Sequence, residues 1–254
     1  MFNLMKADIQ RLFRGKAIYI VLSVLVGLIG MHILGFTQRQ DSHLIGSGAT
    51  MPFFIMRMVD NFSLLLIFPV TLLVVEDFST GTVKNILSSG FSRKDYYLSK
   101  LLLSYLFITI LYVSQLLIGT LAVTIFFGFG GSFDGAYLLS VLQPMLAQLV
   151  VFLGMATFGV AISFLLRKDN VILGLYWSIL FLPSFAFSLL SMSDGNMQVV
   201  EFLQNFEIFS TLQSLVSVAD MPMNDLVRIL TSTLAAIVIC TGIGMSWLRK
   251  AEIK

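Results

Sequence analysis

The chain has 254 residues, of which 57% are hydrophobic and 12% are charged, and its formal net charge is +2. A soluble globular domain has about 45–50% apolar and about 25% charged residues, so this composition excludes an ordinary soluble domain and indicates an integral membrane protein. One cysteine, Cys240, excludes an intrachain disulfide, and together with two histidines it cannot complete a structural zinc site without carboxylates.

The N-terminal segment, residues 1–16, has the pattern of an amphipathic helix. One face carries apolar residues at helical spacing, namely Phe2, Met5, Ile9, Leu12 and Phe13. The other face carries the charged residues, namely Lys6, Asp8, Arg11 and Arg14. The spacing predicts an interfacial helix that lies along the inner leaflet of a membrane, with its basic groups at the headgroups. A plain basic tail without helical order is the alternative.

Six apolar runs follow, and each reaches the roughly 20 helical residues that a bilayer core requires. The runs cover residues 17–36, 55–75, 101–127, 137–166, 171–191 and 226–248. We therefore predict an all-α integral membrane protein with six transmembrane helices, forming one transmembrane domain over residues 1–254.

The segment between the second and third runs, residues 76–100, is rich in charge but internally ordered. Val83, Ile86 and Leu87 fall on one face of a short helix, which Ser88-Ser89-Gly90 then ends. Ser92-Arg93-Lys94-Asp95 matches a capping box and predicts the start of a helix that continues into the third run. A two-turn helix is marginal in water, so its apolar side needs a partner. The membrane surface and a groove on another protein are the two candidates.

The segment between the fifth and sixth runs, residues 192–225, contains five acidic residues and no lysine or arginine. Its apolar residues recur at helical spacing, which predicts an amphipathic helix that lies at the outer face or re-enters the membrane there. A helix packed on the protein surface is an equally good interpretation.

The basic residues predict the orientation of the chain. Thirteen of the sixteen lie before the first run, between the second and third, between the fourth and fifth, and after the sixth. Under the positive-inside rule, both termini are then cytoplasmic, in a multi-pass protein of a cytoplasmic membrane.

Several motifs are absent from the sequence. It has no G-x-x-x-x-G-K-[ST] phosphate-binding loop, no H-E-x-x-H and no G-x-S-x-G. We therefore expect a non-catalytic chain with no metal site and no cofactor of its own. The strong polar residues inside the runs, Gln115, Gln143 and Gln148, are the type that joins membrane helices.

The topology and the 76–100 segment resemble the permease subunit of ABC type-2 transporters, in particular the small bacterial permeases of peptide-antibiotic or bacteriocin resistance. That family has a glutamate after span two, then Gly-Thr, a leucine, a small-residue break, Ser-Arg and a lysine at the start of span three. The matching positions are Glu76, Gly81-Thr82, Leu87, Gly90, Ser92-Arg93 and Lys100. The family usually has proline where this chain has Gly90.

The resemblance implies an exporter permease that pairs with a second permease, alike or different, and docks on a separate ABC ATPase that binds ATP and magnesium. The coupling segment would consist of the matched residues together with Val83 and Ile86. The substrate would be hydrophobic or amphipathic: a peptide antibiotic, a drug or a lipid-like molecule. No nucleic-acid partner is expected. The alternatives are a self-contained channel or secondary transporter, for which the chain lacks a convincing internal repeat, and an intramembrane enzyme.

Overall fold

A computed structural model of the chain describes residues 2–14, 16–37, 48–192 and 208–250, and the described part is helical without a strand. The first helices are α1 (Phe2–Arg14), α2 (Lys16–Thr37), α3 (Met51–Arg57), α4 (Val59–Ser79) and α5 (Thr82–Ser88). The later ones are α6 (Arg93–Phe127), α7 (Gly135–Leu166), α8 (Asp169–Met192), α9 (Ile208–Ser214) and α10 (Met223–Lys250). A 3₁₀ turn at Leu215–Ser217 follows α9. The predicted all-α class is confirmed for the described residues.

Helix boundaries follow local signals in the sequence. The Ser92 hydroxyl accepts a hydrogen bond from the backbone N–H of Asp95 at 3.0 Å, so the predicted cap at the start of α6 is confirmed. Asp134 caps α7 in the same way, accepting from the N–H of Tyr137 at 2.8 Å. Arg167, which has a left-handed φ of 55°, follows the last residue of α7 and caps that end of the helix. Because the connections between these helices are short, α4, α6, α7 and α8 alternate in direction.

Within the described residues, five helices are long and apolar enough to cross a membrane, which indicates a multi-pass membrane protein. They are α4 from Phe62 onward, α6, α7, α8 as far as Ala186, and α10. The first predicted span, 17–36, lies in the 22-residue helix α2, which is not among these five helices, so this span stays a prediction. The second was predicted to begin at residue 55; instead the helix breaks at Met58, so its first turn belongs to α3.

The core lies where α4, α6 and α7 meet, and aromatic rings fill it. Phe62, Tyr112 and Phe152 contribute one ring each, with centroids 4.7 to 5.3 Å apart. Beside them the buried Gln148 donates to the carbonyls of Met56 and Leu212, and its Oε1 accepts from the Tyr112 hydroxyl at 2.6 Å. The prediction that Gln148 joins helices is confirmed, and it joins four elements: α3, α6, α7 and α9.

The two ends of the bundle are chemically different. At one end, backbone N–H groups of Gly48 and Ala49 donate to the carbonyls of Gly128 and Phe129, which ties the start of α3 to the end of α6. At the other end, α1, α5, the start of α6 and the ends of α4, α7 and α10 converge. Most of the basic residues lie at this second end, which we call the charged end.

Only part of the predicted segment 192–225 lies within the described residues. Residues 193–207 lie outside them. In the remainder, Leu212 and Leu215 are fully buried, and α9 packs against α3 and α4. This part of the segment therefore packs into the bundle.

Candidate functional site

The short helix α5 joins α4 to α6 at the charged end. Val83 is buried, and Ile86 and Leu87 are half-buried against the core, so the apolar side of α5 already packs on this chain. Lys84 and Asn85 are exposed on the opposite side. We predicted from the sequence that the apolar face of this helix needs an outside partner; in the structure, the face left for a partner is polar.

Two glycines bracket α5 and set its angle. Gly81 caps its start with φ 69°, and Gly90 follows its end with φ 94°, conformations that residues with a side chain adopt only under strain. Proline, which the resemblance to ABC type-2 permeases leads one to expect at the second position, is restricted to a φ near −65°. The turn at Gly90 therefore differs in shape from a turn made by proline. Thr82 begins the helix, and its hydroxyl lies 2.7 Å from that of Thr80.

Between the ends of α4 and α6 that flank α5 in the chain, a buried ion-pair network joins three helices. Lys100 on α6 is fully buried, and its Nζ lies 2.6 Å from Asp77 Oδ2 on α4 and 2.7 Å from Asp8 Oδ2 on α1. Asp77 is also fully buried, and it accepts further hydrogen bonds from Arg11 Nη1 and from the Tyr96 hydroxyl at 2.9 Å. We call Asp8, Arg11, Asp77, Tyr96 and Lys100 the charge lock.

The charge lock is balanced, with two carboxylates and two cations, and Glu76 lies at its rim. The Glu76 carboxylate is half-exposed and stands 4.0 Å from Arg11 Nη2. Burial raises the pKa of the Asp8 carboxyl, and this effect is larger than the lowering of the same pKa by the neighbouring Lys100 cation. Burial disfavours the charge on Arg11, but the hydrogen bond and negative charge of Asp77 raise its pKa. An unpaired charge here would carry a large desolvation cost, so the network holds only as a unit.

The face of α1 turned toward the bundle carries two of its charged residues, Asp8 and Arg11, whereas Lys6 and Arg14 are exposed. Leu4 and Asp8 are buried against the bundle. Of the apolar residues predicted to face the membrane, Met5 and Ile9 are half-buried, and Phe13 is 49% exposed. The side chains of the other two, Phe2 and Leu12, lie outside the described residues. Asp8 and Arg11, which the sequence places on the polar face, pair with Lys100 on α6 and Asp77 on α4 instead of standing free in solvent, and the position of α1 on a membrane stays a prediction.

Arg93, the first residue of α6, ties this helix to the end of α10. Its Nη1 donates to the carbonyls of Leu248 at 2.8 Å and Arg249 at 2.7 Å, where a helix C-terminus leaves unpaired acceptors. One turn earlier in α10, Gly244 lies against the ring of the buried Tyr97. A Cβ at Gly244 would lie 2.7 Å from Tyr97 Cε2.

Aromatic contacts extend the same joint to the end of α7. The guanidinium of Arg167 lies 4.8 Å from the centroid of the Phe78 ring on α4. Phe164 packs edge-on against Phe78 and Tyr96, with centroids 5.7 and 5.8 Å apart. The ends of α4, α6, α7 and α10 at the charged end are thus connected through named side chains.

The structure brings together several residues predicted for the coupling segment and separates others from the surface. Glu76, Gly81, Lys84 and Gly90 are exposed around α5, whereas Lys100 is fully buried and holds α6 to α4. The sequence analysis missed Asp8, Asp77 and Tyr96. One signal was available: Asp77 ends an apolar run and Lys100 stands just before another, positions where an unpaired charge is costly.

Among the described residues, no group of three His, Cys, Asp or Glu side chains is arranged to hold a metal ion. A comparison of the sequence with known protein families and with curated proteins finds no match.

Proposed function

We propose that this chain is the membrane-spanning permease subunit of an ATP-driven exporter, and that α5 is the coupling helix that receives movement from a separate ABC ATPase. The exported molecule would be hydrophobic or amphipathic, such as a peptide antibiotic, a drug or a lipid-like compound. ATP and magnesium would bind to the ATPase, and this chain would carry no catalytic residue. The proposal includes six spans, with α2 as the first, and a second permease as partner.

The charge lock is the observation that carries the proposal. A helix that transmits a push must be attached rigidly to what it moves, because a loose loop absorbs the displacement. Here α5 is joined to α4 and α6 by turns of a few residues, and Asp77 and Lys100 form an ion pair that holds those two helices together. Since Asp8 binds the same lysine, a push on α5 also reaches α1 at the membrane surface.

The exposed side of α5 supports docking at this position. Lys84 and Asn85 point away from the bundle, and Ser88 and Ser89 extend the polar surface. The partner groove would therefore offer acceptors or acidic groups rather than an apolar floor. We propose that the charged end faces the cytoplasm, which agrees with the positive-inside rule and with the location of an ATPase.

Site-specific crosslinking tests the proposal. A photoreactive amino acid replaces Asn85 in the full chain, expressed in its native cell, and the captured partner is sequenced by mass spectrometry. We expect a chain that contains the phosphate-binding loop G-x-x-x-x-G-K-[ST]. The matched control carries the same amino acid at Ser132, which is exposed beyond the opposite end of α6, and it should capture no such chain.

A charge reversal gives a second measurement. Lys84→Glu should weaken association with the ATPase while the protein still inserts into the membrane, whereas Lys94→Glu serves as an exposed control outside α5. If the photoreactive residue at Asn85 captures no ATP-binding chain, Lys84→Glu changes no association, and the purified chain alone supports flux in vesicles, the chain is a self-contained channel or secondary transporter.

A further inference from the structure

A cavity of about 370 Å³ lies between α7, α8 and α10, away from the charge lock, and α9 covers one end. The floor is α7, where Gly154 allows α10 to approach closely. A Cβ at Gly154 would lie 2.8 Å from Thr233 Cγ2. The walls carry Ile179 and Leu180 from α8 and Ala236 from α10. Its size falls within the roughly 300–1,000 Å³ of small-molecule sites.

The lining of the cavity is apolar with a few hydroxyl groups, and no charged side chain is among the described residues that line it. The hydroxyls of Ser232 and Thr233 donate to the carbonyl of Ile229, at 2.9 and 2.8 Å, so their protons are already used. A charged headgroup or an ion would find no counter-charge here. This lining therefore favours an uncharged, mostly hydrocarbon ligand.

Tyr176 supplies the polar group that points to a specific ligand. It lines the cavity, is fully buried, and its ring stacks on Phe158 with centroids 6.4 Å apart. Its hydroxyl has no hydrogen-bond partner among the described residues. A buried donor without a partner costs free energy, and nearly all such groups in folded proteins are paired. The hydroxyl is itself covered in this structure, so the acceptor oxygen of a ligand in the cavity would pair with it once the Tyr176 ring shifts toward the cavity.

We propose that this cavity binds a single hydrocarbon chain that carries an uncharged acceptor oxygen, with the Tyr176 hydroxyl as the donor to that oxygen. A group of about the size of a water molecule occupies roughly 30 Å³. The cavity volume of about 370 Å³ therefore holds about twelve such groups, which corresponds to a chain of about twelve carbons. The chain comes either from a membrane lipid, through its acyl ester, or from a free amphiphile. This inference does not depend on the docking of an ATPase.

Cysteine protection tests the site, because Cys240 is the only cysteine of the chain. In a Cys240→Ser background, Ala236→Cys places a thiol in the cavity wall, and Ala235→Cys places one on the neighbouring exposed position outside it. The full-length protein is held in a steroid-based detergent, which has no flexible alkyl chain. The rate of alkylation by N-ethylmaleimide is then measured with 1-dodecanol, dodecane or a diacyl phospholipid added.

We expect 1-dodecanol to slow the reaction at Ala236→Cys at least fivefold and to leave Ala235→Cys unchanged. Dodecane, which has no oxygen, should need about three to ten times the concentration for the same protection. Adding Tyr176→Phe should remove that difference, and Ser232→Phe, which fills the cavity from its exposed wall, should abolish protection by both. Protection by phospholipid but not by dodecanol identifies a membrane lipid as the source.

Three results would overturn the proposal. One is the absence of protection by both dodecanol and phospholipid. Another is equal protection at Ala235→Cys, which would reflect partition into the micelle. The third is equal potency of dodecanol and dodecane while Tyr176 is present, which would show that its hydroxyl takes no part in binding.

Discussion

Replacing Lys100 with methionine should destabilise the protein strongly, although methionine has a similar length and suits an apolar site. The substitution removes the cation from between two buried carboxylates. Asp77 keeps its hydrogen bonds from Arg11 and, at 2.9 Å, from Tyr96. Asp8 keeps only Arg11 Nη2 at 3.9 Å, so its charge is left almost unpaired in a buried position.

The magnitude follows from this difference between the two carboxylates. Removing one partner of a buried ion pair typically costs about 3–5 kcal/mol. Since only Asp8 is left nearly unpaired, we expect a loss of about 3 kcal/mol, which is about a hundredfold in the ratio of folded to unfolded protein. Adding Asp8→Asn leaves Asp77 and Arg11 as a balanced pair. The double variant should therefore recover most of the loss and lie within about 1 kcal/mol of the parent.

Equilibrium unfolding in detergent micelles measures these differences, with the fluorescence of the two tryptophans as the signal. Trp247 reports on the charged end of α10, and Trp177, which packs on Phe68, reports on α8. Lys94→Met is the control: this lysine is exposed near the start of α6, and its loss should change stability by less than about 0.5 kcal/mol.

Two outcomes would refute the reasoning about the charge lock. If Lys100→Met costs no more than Lys94→Met, the buried network contributes nothing that an exposed lysine does not. If Asp8→Asn adds a further loss to Lys100→Met instead of restoring stability, the cost does not come from an orphaned carboxylate.

Three further predictions concern other parts of the bundle and the titration of the lock. Gly244→Ala should cost about 1–3 kcal/mol in the same unfolding assay, because the added methyl group meets a buried tyrosine ring of α6. Gln148→Leu should cost about 2 kcal/mol, because two buried carbonyls and a tyrosine hydroxyl lose their partner. Asp8→Asn should flatten the pH dependence of stability above pH 3.8, the usual pKa of this side chain. Burial raises the pKa of Asp8 in the folded protein above 3.8, so the folded state holds its proton more tightly than the unfolded state does. The contribution of Asp8 to stability therefore falls as the pH rises from 3.8 through the folded pKa.

Matched variants serve as controls for these predictions. Gly242→Ala lies on the same helix with open space around it, and it should be neutral or stabilising. Gln143→Leu changes an exposed glutamine of α7 and should have little effect. Equal losses in a variant and its control would contradict the contacts described. For Asp8→Asn, an unchanged slope of stability against pH would show that its pKa is not raised.

Much of the helical framework is predictable from the sequence alone. Five of the six apolar runs correspond to the membrane-length helices of the described residues, because runs of that length have few stable alternatives in lipid. Ser92 and Asp95 predict the start of α6, and Gly90 predicts the end of α5, since capping and left-handed turns depend on local residue type. The break at Met58 was not predictable in this way, because no glycine or proline stands there.

The sequence by itself determined which segments are helical, where several of them begin, and that most of the basic residues lie on alternate connections. Only the tertiary structure decided what the charged residues contact. Lys100 and Asp8 are 92 residues apart, and Arg93 and Leu248 are 155 apart. Helical periodicity assigns a residue to a face of its own helix but does not say which helix packs on that face. From its own helix alone, a charged face is predicted to lie in solvent. Charged residues on other helices can pair with it, and it is then buried in the core.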